Sequence, residues 1–442
     1  MATYTDRESF IPYSRADLIK LCLEDRPLNK NEAGKFRDFC EILAAYYHFK
    51  FHRTLEVIKE NFEPFNPDSH IKPHAVPTDS QRHAMAEQLK QAVEFALQSA
   101  NYTPLSQNDL ELALEQESLI TLKTEVDFED FDQLLIYYRG DVFSKITITK
   151  FFLWKKELDL DIFERVILLF KFKDKAYFEA KGDKIENLDF EPGKIYVYMY
   201  KNIPCYDLEL LFPNIKTSMN WKDRLLFGVP ALGGGAAVVL KVLPNLLLLF
   251  GALVFFTFGP DIAHRFSVDE TSVVDIVTLW AAVSSLLIGL GGFAFKQYTS
   301  YKNKKIEFQK NITETLFFKN MATNATVFHS LIDFAEEEKC KEIILVFYHL
   351  LTHPKSFTTE SLDDHIETWL SDKLGVKVDF DIDKTLQELE QLEGKPKKDS
   401  SADVKVPLLK RDKSGVCHIL PLDEALVVLD DMWDNFFLHA NS

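Results

Sequence analysis

The sequence predicts an α+β membrane protein with three parts: an N-terminal domain of helices followed by an antiparallel sheet, a two-helix transmembrane hairpin, and a C-terminal winged-helix-like domain. Three observations predict it. The apolar period changes from helical to alternating near residue 119, two charge-free apolar runs lie between 242 and 295, and three helical stretches precede a hairpin signal near the end. The corresponding domains are 1–215 (helices 1–119, sheet 120–215), 216–310 and 311–442.

In the first domain, Ser14-Arg15-Ala16-Asp17 has capping-box spacing and opens a short helix. A longer helix over about 31–62 carries Phe36, Phe39, Cys40, Leu43, Tyr47, Phe51, Leu55, Ile58 and Phe62 at core-facing spacing. Prolines 64, 67, 73 and 77 mark a loop; a helix over about 80–100 follows, then a shorter one after Ser106-Gln107-Asn108-Asp109. Beyond 119 the runs LITLKTEV, QLLIYYRG, KITITKFFLW, RVILLFKFK and KIYVYMY read as separate antiparallel strands.

The charge is uneven. Residues 1–215 carry 27 bases and 37 acids, residues 311–442 carry 14 and 25, and the centre, 216–310, carries 10 and 6. Within that centre, Val242–Phe258 and Ile276–Phe295 contain no charged residue. A bilayer core needs roughly 20 helical residues, so these runs predict helices over 242–258 and 273–295, with 225–240 as an interfacial segment. Lys241 is expected to anchor the first helix at headgroup level. Ala281, Ser285 and Gly289 form a stripe of small residues suited to packing against Gly251 and Ala252. Basic flanks, Lys222 and Arg224 before and Lys302, Lys304 and Lys305 after, predict both termini on the cytoplasmic side. The first 30 residues have neither a signal peptide's apolar core nor an Arg-rich transit pattern.

A helix over about 300–322 follows the second apolar run; in the last domain, helices over 326–350, 360–373 and 383–393 then precede a hairpin around Asp412–Gly415 and a final helix over 422–438. Three helices and a hairpin give the winged-helix order. The third helix, DIDKTLQELEQLE, is acidic and unsuited to DNA, and the net charge of −17 repels phosphate generally, so no nucleic-acid partner is expected.

The chemistry-bearing motifs are few. Gly228 and Gly233 have phosphate-loop spacing, but Gly234 and Gly235 stand where Lys and Ser/Thr are required. The five cysteines are scattered and suit neither a disulfide framework nor a zinc ribbon. The pairs His48/His52 and His349/His353 are spaced for one helix face, without a third metal ligand at a telling distance. Arg139, Arg165, Asp207 and Glu209 form a candidate cluster, as a site or as structural ion pairs. No catalytic residue, metal or cofactor is expected.

The segments Tyr137-Tyr138-Arg139-Gly140, Phe163-Glu164-Arg165-Val166, Ile203-Pro204-Cys205-Tyr206-Asp207-Leu208-Glu209-Leu210-Leu211-Phe212-Pro213, Asp223-Arg224-Leu225 and Gly233-Gly234-Gly235 resemble the family of transmembrane protein 143. The resemblance runs from about Ser9 to the last helix; it implies a two-pass membrane protein and supplies no reaction or catalytic residue. Animal members are associated with mitochondria; without a transit pattern, a bacterial inner membrane is the expected location, or an organellar membrane in a eukaryote. The expected function is that of a non-enzymatic binding or scaffold protein anchored in the bilayer, with protein partners and self-association as its contacts. The alternatives are an oligomeric transporter or channel component built from the hairpin, and an unrecognised membrane-bound enzyme.

Overall fold

The computed structural model describes residues 8–25, 28–70, 75–106, 123–150, 154–218, scattered positions between 284 and 314, and residues 316–354, 356–396 and 405–436. The chain divides into two compact units. The first draws on Met1–Gln116, Asp127–Leu208 and Lys319–Ser442, the second on Glu117–Val126 and Glu209–Phe318.

In the first unit, helices α1 (Arg15–Asp25), α2 (Lys30–Phe62) and α3 (Asp79–Ser99) form because their ends are chemically marked. Asn29 Oδ1 accepts from Asn31 and Glu32 N–H while Glu32 reaches back to Asn29 N–H, and Thr78 with Gln81 does the same for α3. The apolar stripe of α2 is buried at every position from Phe36 to Phe62 that its spacing nominates. It lies antiparallel to α5 (Ala325–Thr352): Phe39 stacks on Phe347 at 4.0 Å near one end, and Phe62 meets Phe328 edge-on at 5.0 Å near the other.

A five-stranded antiparallel sheet has the order β1-β3-β4-β5-β7, with β1 Thr103–Pro104, β3 Phe131–Lys150, β4 Trp154–Phe172, β5 Ile195–Pro204 and β7 Asn320–Thr323. The runs QLLIYYRG and KITITK, expected as two strands, are one: β3 pairs with β4 from Phe131↔Phe172 to Lys150↔Trp154. Gly140, at φ +73°, sits within this strand without shifting its register, and a side chain there would meet Glu164 at 2.7 Å. Along Val166–Phe170 both faces of β4 are buried, so this stretch reads as an unbroken apolar run. Ile167 and Leu169 join the helical core, while Phe170 and Phe172 meet Tyr196 and Phe190 on the other face, beside α4 (Lys175–Lys181). The stretch 320–323, expected to close a helix, is strand β7. Asn324 then turns the chain into α5 at φ +48°, exchanging hydrogen bonds with Val197 of β5 through its own N–H (2.6 Å) and its Oδ1 (3.1 Å).

Downstream of α5 come β8 (Phe357–Thr358), α6 (Thr359–Leu374), α7 (Ile382–Gln391), β9 (Glu393–Gly394), β10 (Val406–Pro407), β11 (Leu409–Arg411), β12 (Val416–Ile419) and α8 (Leu422–Asp434). In a three-stranded antiparallel sheet β12 lies between β11 and β8, and β9 pairs with β10. One continuous core contains residues of both acidic blocks, from Phe36 and Leu43 to Phe347, Leu386 and Leu429.

In the second unit β2 (Lys123–Glu125) pairs antiparallel with β6 (Lys216–Ser218). Here the sequence expectation is corrected: among the described residues no helix is long and apolar enough to cross a membrane, so the two-pass transmembrane architecture is not upheld. A charge-free run establishes only that a segment avoids water, and its length does not by itself select lipid over protein as the surroundings. The segment 225–240, Lys241, the run 242–258, and Ala281, Ser285 and Gly289 lie outside the described residues, as does the helix expected after Ser106.

Candidate functional site

The four residues singled out as a cluster have separate engagements. Arg139 (β3) and Arg165 (β4) are cross-strand neighbours. Arg139 is buried; its Nη1 donates to Ala100 O at 3.2 Å, and its guanidinium faces the rings of Phe10, Tyr102 and Phe334 at 4.4, 4.9 and 5.0 Å. It therefore clamps the chain around Phe10 onto α5 and the end of α3, as a planar cation stacked among rings does well. Arg165 Nη1 donates to Glu164 O at 2.9 Å. Asp207, on the 3₁₀ turn Cys205–Leu211, has its carboxyl held above the ordinary range by burial, opposed by Lys319, whose own pKa burial lowers. Glu209 belongs to the second unit. Among the described residues no ion pair links Arg139, Arg165 and Asp207.

The histidine pairs also resolve. His48 bonds Glu336 through Nδ1 at 2.9 Å. His349 and His353 gain a neighbour the spacing did not reveal, His365 of α6, with ring centroids 4.9 and 5.0 Å away. The three rings meet steeply, at 89° and 64°, alongside Trp369 and Phe357. Among the described residues no three His, Cys, Asp or Glu side chains are placed to hold a metal.

The segment Glu336-Glu337-Glu338-Lys339-Cys340-Lys341-Glu342 was missed. It crosses the middle of α5, where Glu338, Lys339, Lys341 and Glu342 are all buried. Each has partners. Glu338 accepts from Ile11 N–H at 2.7 Å, and Lys341 donates to Ile11 O and pairs with Glu338. Lys339 pairs with Glu342 at 2.9 Å and Glu388 at 3.4 Å, while Glu342 also accepts from Asn101 at 2.7 Å. Burial raises the Glu342 pKa even beside Lys339; burial opposes the charge of Lys339 too, but Glu342 and Glu388 outweigh it and keep it protonated. Because these charges satisfy one another, the network fixes elements in register and offers no idle acid or base.

A groove of about 830 Å³ opens between α2, α3 and α8. Its apolar wall includes Val57, Ala92, Phe95, Met432 and Phe436; its charged groups are Lys50, Arg53, Lys405, Glu393 and Asp431. Sequence sets its shape. Lys50, Arg53 and Val57 lie along one flank of the core stripe of α2, and Phe49 against Trp433 at 5.1 Å and Tyr46 against Phe436 at 5.6 Å dock α8 and the residues just after it. Gly394 lets β9 approach α8, since a Cβ there would lie 2.6 Å from Val428 O. Asp431 is occupied: Oδ2 accepts from Lys395 N–H at 2.9 Å and Oδ1 from Asn435 at 3.1 Å. Lys50 is half-buried, its Nζ 5.2 Å from the Tyr47 ring centroid, and burial lowers its pKa.

Residues 163–326 match a family described only as a protein of unknown function (DUF3754). No solved structure matches the chain.

Proposed function

We propose that this chain is a non-enzymatic binding protein and that the groove between α2, α3 and α8 is its recognition surface. One observation carries the reading: this groove is walled by apolar side chains that solvent reaches, Val57 and Phe95 each being 45% exposed, whereas the buried charges of α5 are engaged with one another. A concave, largely apolar surface with a few placed polar groups is the form ligand sites take. The lining favours capture over chemistry, because among the described residues its charged groups, Lys50, Arg53, Lys405, Glu393 and Asp431, include no nucleophile set beside a base.

Native mass spectrometry of the full chain, purified in mild detergent, tests this. The wild-type protein should carry a bound companion, small or macromolecular, that the Val57→Glu/Phe95→Glu variant lacks. Identical bound species in both proteins would remove the groove from the account.

A further inference from the structure

We infer that the groove takes a small amphiphilic carboxylate, its head at Lys50 and its apolar body along Val57, Ala92 and Phe95. The inference rests on the groove being a binding site and adds the class of its ligand.

Lys50 supplies the main observation. Lys50 lines the groove, and among the described residues no carboxylate lies within ion-pair distance of its ammonium. The carboxylate whose charge acts on it is Glu388, which already accepts from Tyr47 Oη at 3.3 Å and pairs with Lys339 at 3.4 Å. Burial and the Lys339 charge both act against the protonated form of Lys50. A half-desolvated cation without a counter-ion is costly, and an incoming carboxylate turns that cost into attraction.

The surroundings agree in charge and size. Lys405 also lines the groove, and of the two lining carboxylates Asp431 already has both oxygens engaged. Val57, Ala92 and Phe95 run from Lys50 along the facing sides of α2 and α3. A volume of about 830 Å³ falls in the roughly 300–1,000 Å³ range of small-molecule sites.

The test uses the full chain and a fluorescent probe, dansylated undecanoic acid, with its neutral methyl ester as control. The acid should bind at least about tenfold tighter than the ester. Lys50→Met keeps the apolar stem, and should weaken the acid by about tenfold to a hundredfold while leaving the ester unchanged. Lys50→Arg, which keeps the charge, should retain the preference, so a general loss of folding is distinguishable. If acid and ester bind alike and Val57→Glu abolishes both, the carboxylate assignment fails while the groove remains a binding site. If probe binding is absent, the assignment fails; if it occurs but ignores Val57→Glu, the groove reading fails with it.

Discussion

Lys339 and Glu342 show why the most telling residues of this chain are hard to read from their neighbours. On paper a run of seven residues with six charges is a solvated helix face. In the fold it sits where α5 is enclosed, and its partners come from Ile11, Asn101 and Glu388, far away in sequence. His365 was hidden similarly, since only the turn between α5 and α6 brings it to His349 and His353. Removing one member of a buried pair leaves the other charged and unsolvated. Lys339→Met should therefore destabilise the protein by about 3–5 kcal/mol in urea unfolding, and adding Glu342→Leu should recover much of that loss. A double-variant loss equal to the sum of the two single losses would mean the pair is not coupled.

At the scale of elements, local chemistry was legible and long-range pairing was not. The α2 stripe needs only the 3.6-residue period, whereas joining QLLIYYRG to KITITK in one strand depends on β4 running opposite both. The β11–β12 hairpin is a local case: Asp412 Oδ1 accepts from Ser414 N–H at 2.8 Å, Ser414 Oγ at 2.6 Å and Val416 N–H at 3.0 Å. These bonds favour the carboxylate, chiefly through the Ser414 side chain, and lower its pKa from 3.8 to about 2. For a carboxyl depressed on folding, the stabilisation is complete above the unfolded value and disappears as pH falls through the folded one. Asp412→Ala should thus lower the urea midpoint above about pH 4, and the gap from wild type should close as pH drops toward about 2. A gap independent of pH would assign the effect to turn geometry rather than to charge.

Over the whole molecule, a count of charge by region separates two acidic blocks around an apolar centre, and says nothing of the blocks sharing a core. They do: Phe39 of α2 stacks on Phe347 of α5, and Ile11 is held on both sides by Glu338 and Lys341. The groove is equally shared, with α2 and α3 from the first block and α8 and β9 from the second, so no sequence window could contain it. The two charge-free runs were legible as apolar, yet apolarity did not fix their surroundings, and the membrane-spanning reading gave way. The central claim is that both blocks form one body. It is tested most directly by expressing residues 319–442 alone and recording an amide NMR spectrum. Without the first block, α5 would expose Phe347 and Tyr348, which are fully buried in the intact chain, and Glu338 and Lys341 would lose the backbone of Ile11. The account predicts an aggregated or poorly dispersed fragment that becomes ordered when co-expressed with residues 1–218; a monomeric fragment with sharp, dispersed signals by itself would contradict it.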